Sequence, residues 1–351
     1  MVDNMSKRGF DPLTYRFEDQ IPEHGKVTEV ADGVFWIRMP MWGRLGHINV
    51  WLLRDTDGWT IVDTGVFTEK VQGLWQQILD KYLDGLPVTR VIATHLHTDH
   101  TGNVGWLCNK WDSELWMSRA DFYMCKVMAA DRPQDVPEAA IKFYRRAGFS
   151  EDKLASYRQR FGQFGKSMDP LPAGYRRITE GQYIDIGGRE WRAVIGHGHA
   201  PEHVCLYCPE LKLIISGDQI LPKITPNVSV QPSEPLANPL REWIASCNHF
   251  RDILPPTLLV LPAHGSLFEG IHERLTALID WHEVALEKLY ELCETPKRAV
   301  DVFPALFKSE ITDSSYFPAT GEAIAHLHCA QERRILKVEE DDQGVAWWHQ
   351  A

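Results

Sequence analysis

Residues 94–102 read Thr94-His95-Leu96-His97-Thr98-Asp99-His100-Thr101-Gly102. Imidazoles and a carboxylate crowded this closely form a cage for a cation, and borderline-soft divalent metals suit the mixture of donors. The stretch follows directly on Val91-Ile92-Ala93, an apolar run that reads as a buried strand. The side chains therefore ride the loop leaving a strand end, and Thr101-Gly102-Asn103 opens a helix-like segment beyond it. Chance histidines on a polar surface loop are the alternative; the density of the motif speaks against them.

The elements that must position this loop are legible on either side. Val34–Ile37, Ile48–Leu53 and Trp59–Val62 read as strands, with Asp55-Thr56-Asp57-Gly58 as a turn. The third strand runs into Asp63-Thr64-Gly65, and a carboxylate at a buried strand end needs partners. Asp63 could cap the next segment or hold the ligand loop from outside the coordination sphere; the second role is favoured. Residues 67–83 repeat apolar side chains at three and four, an amphipathic helix before the strand 90–94. Residues 119–165 are charged, helical and punctuated by Pro and Gly, a helical insertion that either packs or caps a pocket. Strands return at Tyr183–Ile186, Trp191–Ile195, Val204–Tyr207 and Leu213–Ser216. Among and after them stand Gly198-His199-Ala200-Pro201-Glu202-His203, Gly217-Asp218 and a loop holding Pro222, Pro226, Pro232, Pro235 and Pro239. A helix over 240–253, a strand over 258–261, Pro262-Ala263-His264-Gly265 and a long helix over about 269–294 complete this part.

Composition narrows the function classes. With 351 residues, 44% apolar content and 13 Trp, the chain has ample material for a core. It lacks an 18-residue apolar run, so no membrane span is expected. Met1–Leu13 has no apolar stretch of the secretory kind, and 7 Cys are odd in number and sparse, which suits a reducing, cytoplasmic setting. A net charge of −11 disfavours general attraction to nucleic acid. Cys205 and Cys208 form a C-x-x-C inside an expected strand, where they face opposite sides and read as packed core thiols. His24, His249, His272, His282, His326, His328 and His349 read as ordinary core or surface histidines.

Every candidate ligand, His95, His97, Asp99, His100, His199, Asp218 and His264, falls at or just beyond a strand end. Seven donors exceed one four-coordinate ion and suit two ions sharing a carboxylate. In this order, with Asp63-Thr64-Gly65, the motifs resemble those of the metallo-β-lactamase superfamily over roughly residues 27–290. The resemblance implies an α/β fold, an αββα sandwich with the metals at one sheet edge. It implies that His95, His97 and His199 hold one metal, that Asp99, His100 and His264 hold the second, and that Asp218 bridges. His197 is the rival to His199, but only His199 has the motif's histidine four residues on, and His203 then braces the site or lines the pocket. An Asp at position 218, where β-lactamases of the superfamily carry Cys or Ser, resembles the hydroxyacylglutathione hydrolase, lactonase and nuclease branches.

The implied enzyme is a hydrolase in which a metal-bridging hydroxide attacks a small ester, thioester or lactone. Asp99 would both ligate and orient the nucleophile; the metals would be zinc by default, with iron or manganese as alternatives. Trp42 and His47 are candidates for lining the substrate pocket. A phosphodiesterase or endoribonuclease is the second reading, with Arg145-Arg146, Arg158-Gln159-Arg160 and Arg176-Arg177 as its basic patches. A non-haem iron sulfur dioxygenase and a non-catalytic ligand-binding protein are further alternatives. The catalytic domain is expected over 1–294. Residues 295–351 read as helices over 297–307 and 320–334 followed by a hairpin, which resembles the winged-helix module of one branch. Residues 291–351 carry 11 acidic and 6 basic side chains, so a structural or homodimerising tail is favoured over a nucleic-acid reader.

Overall fold

The computed structural model describes residues 12–43 and 45–351, so the reading of the N-terminus falls largely outside the described residues. The first half builds a seven-stranded sheet. β1 (Val27–Ala31), β2 (Val34–Pro40), β3 (His47–Arg54) and β4 (Trp59–Val62) pair antiparallel in sequence order. β5 (Val88–Ile92), β6 (Glu114–Met117) and β7 (Arg176–Arg177) then add in parallel. The parallel pairings need crossovers, which α1 (Glu69–Tyr82), α2 (Thr98–Thr101) with α3 (Val104–Trp111), and the insertion supply. The insertion contains α4 (Arg119–Ala130), α5 (Glu138–Arg146) and α6 (Glu151–Arg160). α1 starts where Thr68 Oγ1 accepts the Val71 N–H, an N-cap.

The second sheet runs β12-β11-β10-β9-β8. β8 (Tyr183–Ile186), β9 (Arg189–Gly196), β10 (His203–Cys208) and β11 (Leu213–Gly217) are antiparallel, and β12 (Leu259–Pro262) joins β11 in parallel through α7 (Pro239–Ile253). α8 (Ile271–Leu292) follows. Strand alternation sorts the side chains into layers. Trp51 and Leu53 of β3 join Trp36, Trp191, Leu206 and Ile215 between the two sheets. Val50 and Leu52 face the other way, toward Trp75 and Ile78 of α1. The outer face of the second sheet packs on Trp243, Phe250, Leu275 and Leu286 of α7 and α8. The result is an αββα sandwich. Cys205 and Cys208 point to opposite faces, as strand periodicity requires.

The tail differs from the expectation at its start. In place of a helix over 297–307 there is a 3-10 turn, Ala299–Asp301, and the single-turn α9 (Phe303–Leu306). The Asp301 carboxylate accepts from the backbone and guanidinium of Arg298, closing the chain into a turn, and Pro304 restarts it with no N–H to donate. α10 (Tyr316–Glu332) and the hairpin β13 (Leu336–Glu340) with β14 (Ala346–Gln350) follow. The tail shares the core of the sandwich: Leu327 and Trp348 belong to one buried cluster with Leu275 of α8 and Phe143 of α5. The insertion packs on it as well, with the Tyr144 and Phe149 rings 5.5 and 5.4 Å from Phe317. His282 and His326, unrelated by sequence position, meet in this core with Nδ1 and Nε2 3.1 Å apart. Among the described residues no helix is long and apolar enough to cross a membrane.

Candidate metal centre

The chain turns sharply after β4, and Asp63 takes a left-handed backbone with φ 60°. That conformation is costly for a residue with a side chain. It aims the carboxylate across to the next strand end, where it accepts from the Thr94 N–H at 2.8 Å and faces His100 Nδ1 at 2.7 Å. Asn103 locks the same turn, its amide donating to the carbonyls of Thr64, Gly65 and Val66. Gly102 lies so close that a Cβ there would sit 2.5 Å from the Gly65 carbonyl oxygen. Trp75 of α1 donates to the Thr64 carbonyl from below.

Two groups of donors result. His95, His97, His199 and Asp218 have donor atoms within 4.8 Å of one another, and so do Asp99, His100 and His264. The Asp218 carboxylate faces both: Oδ2 lies 3.4 Å from His199 Nε2, while Oδ1 lies 3.4 and 3.6 Å from the Nε2 atoms of His264 and His100. His95 Nε2 is 2.8 Å from His97 Nδ1 and 3.2 Å from His199 Nε2.

Besides His100, held by Asp63, three more imidazoles are aimed through their second nitrogen. His199 Nδ1 contacts the Asn227 carbonyl oxygen at 2.7 Å, His264 Nδ1 that of His47 at 2.9 Å, and His95 Nδ1 the Thr94 hydroxyl at 3.1 Å. His203 is fully buried, stacks on the His95 ring at 4.6 Å and accepts the Asp218 N–H on Nε2.

The charges call for cations. Burial, then the neighbouring rings, keeps His95 well below its ordinary value, and burial brings His97 down to about 3. Both are therefore neutral and offer lone pairs. Burial alone would raise the Asp99 carboxyl, but His100 and His264 outweigh it and hold it at about 2. Asp218 is likewise held low against its burial by His264 and His100. Burial works against protonation of His100, yet Asp63, Asp99 and Asp218 raise it. His100 Nε2, His264 Nε2 and Asp218 Oδ1 are buried without a hydrogen-bond partner, and all three point into the cluster. Unpartnered polar atoms among ionised carboxylates fit a pair of divalent ions: His95 and His97 are already neutral, and the protons that the carboxylates favour on His100 and His264 are ones a bound cation would displace.

Other expected residues lie elsewhere. His197 turns away, with Nδ1 on the Pro201 carbonyl, and lines a cleft of about 550 Å³ with Arg177, Glu180 and His249. His47 accepts the Gly265 N–H on Nε2, and burial brings its imidazole down to about 4, so it steadies the His264 loop. Trp42 is 60% exposed on the β2–β3 connection. Sequence reasoning missed Asp121 and Asn49. Asp121 accepts from Leu96 N–H and Glu202 N–H, tying the two ligand loops to α4. Its Ser118-x-x-Asp121 spacing is visible in the sequence but looks like a helix cap. Asn49 donates to the carbonyls of Pro262 and Gly265 and accepts from Trp36 Nε1, joining the two sheets beneath His264.

A four-layer sandwich with two clustered donor sets at one sheet edge defines the class. The chain belongs to the metallo-beta-lactamase superfamily, whose sequence profile matches residues 43–266; a Metallo-beta-lactamase-like, C-terminal domain profile matches 286–351. A crystal structure of a beta-lactamase domain protein from Burkholderia ambifaria is 39% identical, with a TM-score of 0.88 over 97% of this chain and 98% of that one. A metallo-beta-lactamase family protein from Thermus thermophilus shares the fold at 21% identity and a TM-score of 0.77, over 92% of this chain and 100% of its own. The Acyl-coenzyme A thioesterase MBLAC2 of Gallus gallus is 24% identical over 71% of this chain and 83% of its own length. The Lactamase-like protein aptB of Emericella nidulans is 22% identical over 80% and 72%. Members of this superfamily, thioesterases among them, are hydrolases, and the chain is an enzyme of that kind with a site for divalent metal.

Proposed function

We propose that the chain hydrolyses a small carbonyl substrate, a thioester foremost and an ester or lactone next, with two zinc ions held by His95, His97, His199, Asp99, His100, His264 and the shared Asp218. The observation that carries this reading is the Asp218 carboxylate presenting one oxygen to each donor group. When bound, such ions supply Lewis acidity at a carbonyl oxygen and ionise water near neutral pH. Asp99 keeps 18% of its side chain exposed and its carboxyl ionised, so it can orient that water by accepting its proton in a hydrogen bond. His95 and His97, neutral at working pH, leave their lone pairs for the metal. Thiolate chemistry is disfavoured by the cysteines, all 7 of which are buried, with burial pushing Cys125 and Cys247 up to about 12.

The thioester preference draws on the likeness to an acyl-coenzyme A thioesterase. Against the phosphodiester reading stand the basic patches, several of which are occupied at home: Arg145 by Glu151, Arg146 by Glu340, and Arg176 by Glu114. The test is a chromogenic panel of acyl thioester, ester, lactone and phosphodiester with zinc-loaded protein and His95→Ala as control. Thioester cleavage that the variant loses supports the proposal; cleavage of the phosphodiester alone overturns it.

A further inference from the structure

We propose that the C-terminal helix α10 is part of the metal centre's scaffold, with Glu322 acting through Asn227 to position His199. The proposal rests on His199 being a ligand, as argued above. His199 Nδ1 donates to the Asn227 carbonyl at 2.7 Å, which sets the tautomer and turns Nε2 toward His95 and Asp218. Asn227 sits in the long loop between β11 and α7, where no helix or strand fixes its carbonyl. Its side chain is instead fixed from the tail: Asn227 Nδ2 donates to Glu322 Oε2 at 2.9 Å, and Oδ1 accepts from Ser229 Oγ at 2.6 Å.

The backbone docks in the same place. Val230 N–H donates to the Gly321 carbonyl at 3.1 Å, and a Cβ on Gly321 would stand 2.8 Å from the Ser229 side chain. Loop and helix meet this closely because residue 321 has no side chain. Glu322 is 2% exposed. A carboxylate at that depth is a poor choice for packing alone, since burial penalises it and an apolar side chain would fill the space. Its position is explained by the amide it receives. The tail thus reaches the ligand set across 95 positions of the chain, from Glu322 to Asn227. Glu322 is a positioning residue and touches no reacting atom.

The test uses the full chain, stripped of metal and titrated with Zn²⁺ against a chromophoric chelator, with Co²⁺ absorption as a second readout of the coordination sphere. Glu322→Leu and Asn227→Ala should each weaken one of the two ions by up to about tenfold, the low end of the range for outer partners, because the carbonyl that His199 uses remains and only its anchorage is lost. The double variant should be no worse than either single one. Glu322→Gln keeps an acceptor for Asn227 and should bind close to wild type. Leu327→Ala, a buried α10 substitution away from the relay, should lower the melting temperature and leave both affinities intact. If Glu322→Leu does not fold, Asn227→Ala and Gly321→Ala carry the same expectation. Unchanged affinity in Asn227→Ala, or a loss in Leu327→Ala as large as in Glu322→Leu, overturns the proposal. Two tight ions in the wild type with no effect of these variants overturns it while leaving the ligand assignment standing, whereas a wild type that binds neither ion removes that assignment and this proposal together.

Discussion

Glu322→Gln should make the protein more stable relative to wild type as the pH rises. Burial pushes the Glu322 carboxyl from its ordinary 4.5 up to about 7, with the Asn227 amide pulling the other way. The folded chain therefore holds the proton more tightly than the unfolded chain between these values. The stability this group contributes is fully present below pH 4.5 and lost as pH rises through 7. At about 1.4 kcal/mol per pH unit, the interval amounts to about 3 kcal/mol. Glutamine keeps the acceptor for Asn227 and has no proton to lose. The variant should match wild type within a constant offset near pH 4.5 and gain about 3 kcal/mol on it by about pH 8. With an unfolding entropy of about 2 cal/mol/K per residue, that gain is roughly 4 °C in Tm for a chain this long. The assay is a pair of melts at each pH from about 4.5 to 8 under identical zinc. An offset that stays constant, or one that grows toward acid, refutes the buried-carboxylate argument.

The histidine pair behind Glu322 should act in the opposite sense. Burial brings His326 down to about 4 and His282 well below its ordinary value, so both resist protonation in the fold. The stability they contribute is present above pH 6.5 and lost as pH falls toward 4; His326→Gln should remove about 3 kcal/mol of that acid-side decline, measured by urea unfolding across this range. Asp63→Asn should weaken metal binding about 10–100-fold with the fold intact, because Asn tolerates the left-handed backbone but cannot serve His100 as a charged acceptor; chelator competition measures it. Asn49→Ala strands the Trp36 indole N–H and frees the Gly265 turn, and should cost about 2 kcal/mol in denaturant melts while loosening metal at His264.

The ligand loops are legible in the sequence because each combines an apolar strand with polar residues at its end, a pattern that survives without coordinates. Asp63 is legible for the same reason, since a carboxylate at a buried strand end demands an explanation. Asn227 is not, because it aims His199 with a backbone carbonyl, which every residue type carries. Asp121 is hidden by a spacing that fits a helix cap, and Glu322 by lying in an otherwise ordinary helix. β7 escapes a sequence reading because 2 residues are too few to show alternation, and β6 because it lacks the flanking Gly or Pro that sets off the equally short β4 after Gly58. The tail's first segment reads as a longer helix than it forms because its apolar spacing gives no hint of the Arg298–Asp301 turn. The pairing of His282 with His326 depends on two helices crossing, which local sequence does not record.

The central claim, seven side chains converging on two cations, is tested most directly by anomalous diffraction at the zinc edge from crystals of the zinc-loaded protein. Two peaks per chain are expected, one among His95, His97 and His199, the other among Asp99, His100 and His264, with Asp218 between them. A single peak, or peaks that leave His199, Asp218 or His264 uncoordinated, would contradict it.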